Sequence, residues 1–117
     1  DYVRLGITGE DQENYWKRWP KLLRAWDGKN FVSYEPAIGP LEIFATNNTA
    51  IIPDWIICGG ESGAGFRPFD IQWARDLRDQ CRTANVKFFM KQLGGNPDKR
   101  HDPEQWPEDI RIREYPE

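Results

Sequence analysis

Histidine is nearly missing from this chain and cysteine is scarce, with one His, at position 101, and two Cys, at 58 and 81. A Ser-His-Asp or Cys-His nucleophile system would have to use His101, which lies in a charged, proline-rich tail, so such chemistry is disfavoured. Two cysteines so far apart make neither a disulfide framework nor a CxxC site, and both sit in apolar periodic stretches, as buried reduced thiols do. No His/Cys/Asp/Glu spacing suggests a metal site. Apolar runs long enough to span a membrane are also missing, as is a signal peptide, which points to a cytoplasmic protein without a membrane partner. A basic excess is lacking too. The formal net charge is -3 and the isoelectric point about 5.2, against the basic character expected of a general nucleic-acid binder.

What is present is a globular composition, 38% hydrophobic and 30% charged over 117 residues. That length gives one domain or a piece of a larger one, with a modest core. Six Trp carry much of the burial, so a few large rings hold much of the stability. Charge is uneven: residues 67–100 hold eight Lys/Arg against four Asp/Glu, and residues 101–117 hold two against six. The basic block reads as a solvated helix face or as a surface for an anionic ligand. The chain starts on Asp1 and opens almost directly on a strand, which reads as a cut from something longer.

Hydrophobic period organises the rest. YVRLGIT (2–8) reads as a strand, and Tyr15, Trp16, Trp19, Leu22, Leu23 and Trp26 recur at helical spacing. Pro20 predicts a kink or a second start in that helix, and Gly28 ends it. Residues 30–34 form a short strand cut by Glu35-Pro36; 41–44 are apolar and of uncertain state, and 46–49 are a polar loop. DWIIC (54–58) has the form of a strand buried on both faces. Asp70 suits an N-cap, Ile71, Ala74, Leu77, Cys81 and Ala84 line one helix face, and Asn85 suits a left-handed C-terminal position. VKFFM (86–90) is a further strand, and IRIREYP (110–116) an edge candidate. Alternation of this kind predicts an α/β protein: a partial, half TIM-type barrel, or an open parallel sheet of about four strands flanked by helices. Residues 1–95 would form that partial barrel domain and 96–117 a tail packing on it. The stretch 36–53 lacks a convincing helix, which weakens a regular barrel.

In a parallel sheet the C-terminal strand ends share one rim, where ligands bind. Glu10, Glu35, the loop Gly59-Gly60-Glu61-Ser62 and Lys91 each follow a strand and are candidate binding residues. Each has a plainer role: Glu10 opposing a helix dipole, Glu35 in a structural hydrogen bond, Lys91 lying along the surface. Four glycines between 59 and 65 permit close backbone approach to a ligand or tight turns. Glu61 can accept from an amine, Ser62 can donate to a carboxylate or phosphate, and Arg67 can grip an anion with both arms. The loop matches neither GxGxxG nor a P-loop. No residue stands out as catalytic.

LGITGEDQE (5–13), FVSYEPAIGPLEI (31–43), DWIICGGESGAGFRP (54–68), the 70–85 helix, FFMKQLGG (88–95) and PEDIRIREYP (107–116) resemble the C-terminal part of a phage- and prophage-encoded protein family of unknown function with a radical-SAM-like barrel. The resemblance spans nearly the whole chain. It implies an iron–sulfur cluster and S-adenosylmethionine held by a Cys-rich segment upstream, with no cofactor held by this chain alone and neither Cys58 nor Cys81 as a ligand. The chain would then be an inactive fragment contributing part of a ligand or cofactor rim, its partner the missing N-terminal half of its own barrel. The other reading is a non-catalytic phage-type interaction module. Either way an open sheet edge predicts self-association, or cover by the 96–117 tail.

Overall fold

The computed structural model describes residues 3–44 and 51–116. Four strands, β1 (Arg4–Thr8), β2 (Lys29–Tyr34), β3 (Trp55–Gly59) and β4 (Lys87–Gln92), form one open sheet in the order β1-β2-β3-β4. Every neighbouring pair is parallel. Helix α1 (Gln12–Ala25) joins β1 to β2 and α2 (Ile71–Ala84) joins β3 to β4. The sheet is open, not a closed barrel.

Register sorts the side chains onto two faces. Val32 pairs with Ile56 and Tyr34 with Cys58, and these pair onward with Phe88 and Met90. All six are buried in one core with Tyr15 and Trp19 of α1 and Ala74, Leu77 and Cys81 of α2. Both helices therefore pack on one face of the sheet. On the other face Phe31, Ser33, Trp55, Ile57 and Phe89 are only half-buried. Their rings make a row across three strands, Phe31 to Trp55 at 6.0 Å and Trp55 to Phe89 at 6.3 Å between centroids. Tyr115 from the tail lies against Trp55 and Phe89.

Caps fall where the residue chemistry puts them. The Asp70 side chain accepts from the Gln72 N–H, and Asn85 closes α2 in the left-handed conformation at φ 58°. Asp11 caps α1 by accepting from Asn14 N–H. Pro20 neither ends nor restarts α1, which runs unbroken across it. Residues 36–44 form no regular element, yet Leu41 and Ile43 are buried. Gln80 of α2 holds them, its amide oxygen accepting from Ile43 N–H at 2.8 Å and its nitrogen donating to Leu41 O at 2.9 Å. The predicted loop 46–49 lies outside the described residues.

The tail packs back on β4. Met90 N–H donates to Ile112 O and Glu114 N–H to Phe88 O, so residues 112–114 run antiparallel along the β4 edge. This is an isolated bridge at Arg113, short of the edge strand expected for IRIREYP. Trp106 and Ile110 are buried, and Asp109 anchors the tail to Arg75 and Arg78 of α2. Among the described residues, no helix is long and apolar enough to cross a membrane.

Candidate functional site

The parallel order brings four strand ends to one rim. Glu10 follows β1, and its Oε1 accepts from Arg18 Nη1 at 2.8 Å. The same arginine donates to Thr8 O, so α1 folds a cation back over the end of β1. The Ile38 N–H donates to Glu10 O, tying in the segment after β2.

Glu35 is the hub. It follows β2, and its Oε1 accepts from Ser33 Oγ at 2.9 Å while its Oε2 accepts from Lys91 Nζ of β4 at 2.9 Å. The ion pair thus crosses over β3, which lies between those two strands. The pair passes close over Gly59, the last residue of β3, where a Cβ would stand a tight 3.3 Å from Glu35 Oε2.

The next glycine serves a different end. Gly60 N–H donates to Gln92 O at 3.0 Å and Gly60 O accepts from Gln92 Nε2 at 2.9 Å. Gly63 N–H donates to Gly95 O and Gly95 N–H to Glu61 O. The loops after β3 and β4 are therefore stitched together by backbone bonds. A Cβ on Gly60 would come 2.0 Å from Leu93 O, a distance no packed atom tolerates. At Gly60 the glycine answers the neighbouring loop, where the sequence left open an approach to a ligand.

Glu61 is clasped by Arg67. Its Oε1 accepts from both the Nε and the backbone N–H of Arg67, and its Oε2 from Nη2 at 2.7 Å. These hydrogen bonds, the side-chain ones foremost, hold the Glu61 carboxyl down at about 2. The two-armed grip expected of Arg67 is thereby filled by Glu61 itself.

Glu35, Glu61, Ser62 and Lys91 line one shallow cleft of about 460 Å³ together with Pro36, Gly60, Gln92 and Lys99. Glu10, Gly59 and Arg67 do not line it. Lys99 is the contributor that sequence reasoning missed. Its only signal was the basic excess of 67–100, because the turn that returns it to the rim depends on contacts between loops. Gly94 N–H donates to Lys99 O and Leu93 N–H to Arg100 O. A hollow of similar volume opens at the opposite strand ends, lined in part by Arg4, Lys29, Asp54 and Lys87. There Arg4 is turned onto Asp54 and onto the Asn30 carbonyl. Neither volume nor polar lining separates the two; the rim cleft is distinguished by lying at the C-terminal strand ends, where parallel α/β sheets bind their ligands.

Both cysteines are buried and free. Burial pushes the Cys81 thiol up to about 12 and that of Cys58 further still. Among the described residues no group of three His, Cys, Asp or Glu side chains could hold a metal ion.

The chain belongs to the family described as Protein of unknown function (DUF5131), whose model matches residues 1–112. No curated protein and no solved structure matches the chain.

Proposed function

We propose that this chain is the late portion of a phage-type, radical-SAM-like barrel protein, contributing one wall of a ligand or cofactor rim and inactive by itself. One observation carries the reading: an all-parallel sheet in sequential strand order with both helices on one face and an aromatic row left half-exposed on the other. Parallel sheets occur almost only with both faces covered. Sequential order with the helices outside is the arrangement of barrels, whose interior is filled by side chains from further strands. Additional parallel strands would cover Phe31, Trp55 and Phe89 and close the rim opposite Glu35 and Lys91.

The two cofactors implied by the family resemblance fit this chain differently. Cluster ligands are thiolates, and burial holds Cys58 and Cys81 as thiols inside the core. A cluster would have to be carried by residues outside this chain. The cleft does suit the polar end of a zwitterion such as S-adenosylmethionine, having ammonium, hydroxyl and carboxylate groups within one depression. When bound, that group supplies one-electron chemistry. Glu35, Glu61, Ser62 and Lys91 would bind and orient it and keep water from that wall.

The decisive experiment is anaerobic iron–sulfur reconstitution of the natural protein containing this sequence, followed by an assay for S-adenosylmethionine cleavage. A cluster and cleavage are expected. A natural sequence with no Cys-x-x-x-Cys-x-x-Cys-type segment, or a reconstituted protein that cleaves nothing, would sink the reading. It would favour a non-catalytic interaction module, for which the exposed Val3 and Leu5 at the β1 edge are the supporting feature.

A further inference from the structure

We infer that the rim cleft is an oxyanion site, seating a phosphate or carboxylate group between Lys99 and Ser62. The inference deepens the rim reading and rests on it only in taking this cleft as the ligand site.

The argument is one of donors and acceptors. Both carboxylates in the cleft have both oxygens engaged: Glu35 by Ser33 and Lys91, Glu61 by Arg67 alone. The Gly60 carbonyl is taken by Gln92. Two side-chain donors of the cleft, the Lys99 ammonium and the Ser62 hydroxyl, have no partner among the described residues. A ligand entering here thus meets two unspent donors beside carboxylates already engaged in ion pairs. Charge points the same way, because Lys91, Lys99 and Arg67 stand against Glu35 and Glu61, leaving one cation unbalanced.

The backbone holding both donors is braced. The loop bearing Ser62 is bonded through Gly63 N–H and Glu61 O to Gly95. Lys99 sits on a turn fixed by two backbone bonds to Leu93 and Gly94, with Arg100 Nε donating to Gly94 O at 2.6 Å. A site whose donors are placed before binding loses little freedom on binding. The Glu35–Lys91 pair adds a second cation that a ligand can draw on, and Glu35 opposes the anion by its own charge.

The test is a titration of this chain at neutral pH and constant ionic strength, with inorganic phosphate in one arm and glutarate in the other, followed by ¹H–¹⁵N chemical shifts. Saturable shifts confined to residues 60–63 and 99 are expected, and the tighter arm names the source of the oxyanion. Lys99→Gln should weaken binding about tenfold. Ser62→Ala should weaken it less, and Glu35→Gln should tighten it by removing the opposing charge. Lys87→Gln, at the far end of β4, should change nothing, and the same spectra report whether each variant is folded. Shifts that never saturate in either arm, or equal losses in the Lys99 and Lys87 variants, would overturn the proposal. Failure of cluster assembly in the natural protein would leave these readouts untouched, so the two readings fail separately.

Discussion

Glu61 and Arg67 show how one contact sets the character of a side chain. The carboxyl is half-buried at the cleft wall, and three hydrogen bonds from a single arginine hold it near 2. A depressed carboxyl contributes stability above its ordinary value of 4.5 and loses it as pH falls toward 2. Arg67→Gln should therefore return the Glu61 midpoint toward the ordinary glutamate range, read by carboxyl ¹³C titration; a midpoint still near 2 would show that other groups hold it. The thiols make the opposite case. Cys58 and Cys81 are buried and raised by burial, so the native chain should react with a thiol reagent only as fast as it unfolds. Prompt labelling in buffer, matching the rate in denaturant, would contradict that burial.

At the scale of elements, the glycine loop after β3 is a packing device before it is a binding device. Because a Cβ on Gly60 would meet the Leu93 carbonyl oxygen at 2.0 Å, Gly60→Ala should cost about 3 kcal/mol through displaced backbone. Denaturant unfolding would measure it, and a loss under about 0.5 kcal/mol, the range of ordinary surface changes, would mean that the two loops are not pressed together. Its neighbour Gly59 is crowded more mildly, by the Glu35 side chain crossing to Lys91 above it. The termini of α2 were legible because their signals are local: an Asp accepting from the first turn, an Asn able to turn left-handed. Pro20, equally local, does not restart the helix. Tyr15 and Trp19 anchor α1 in the core, and that packing carries the helix through a residue that donates no hydrogen bond.

For the whole molecule the question is what covers the sheet. The β4 edge is lined by residues 112–114, whereas the β1 edge has no partner strand among the described residues. Exposed edges recruit strands. Cutting the chain after Gly95 would strip Trp106 and Ile110 from the core and bare the β4 edge as well. Unfolding free energy should fall by about 3 kcal/mol or more, as when large buried side chains are removed, and light scattering should show association. A truncated chain that stays monomeric and keeps its stability would show that the tail is an ornament.

The sequence by itself determined the kinds of elements, their order, the caps of α2 and the buried state of both thiols, because these depend on period, local hydrogen bonds and composition. It also pointed to the strand ends as the place to look, since parallel strands must gather their C-terminal residues on one rim. Tertiary structure alone decided which of those residues meet. That Lys91 reaches Glu35 across β3, that Arg67 spends itself on Glu61, and that Lys99 returns to the same cleft all follow from sheet order and from one loop bonding another. Such pairings join residues up to 56 positions apart, and no local pattern encodes a distance of that kind.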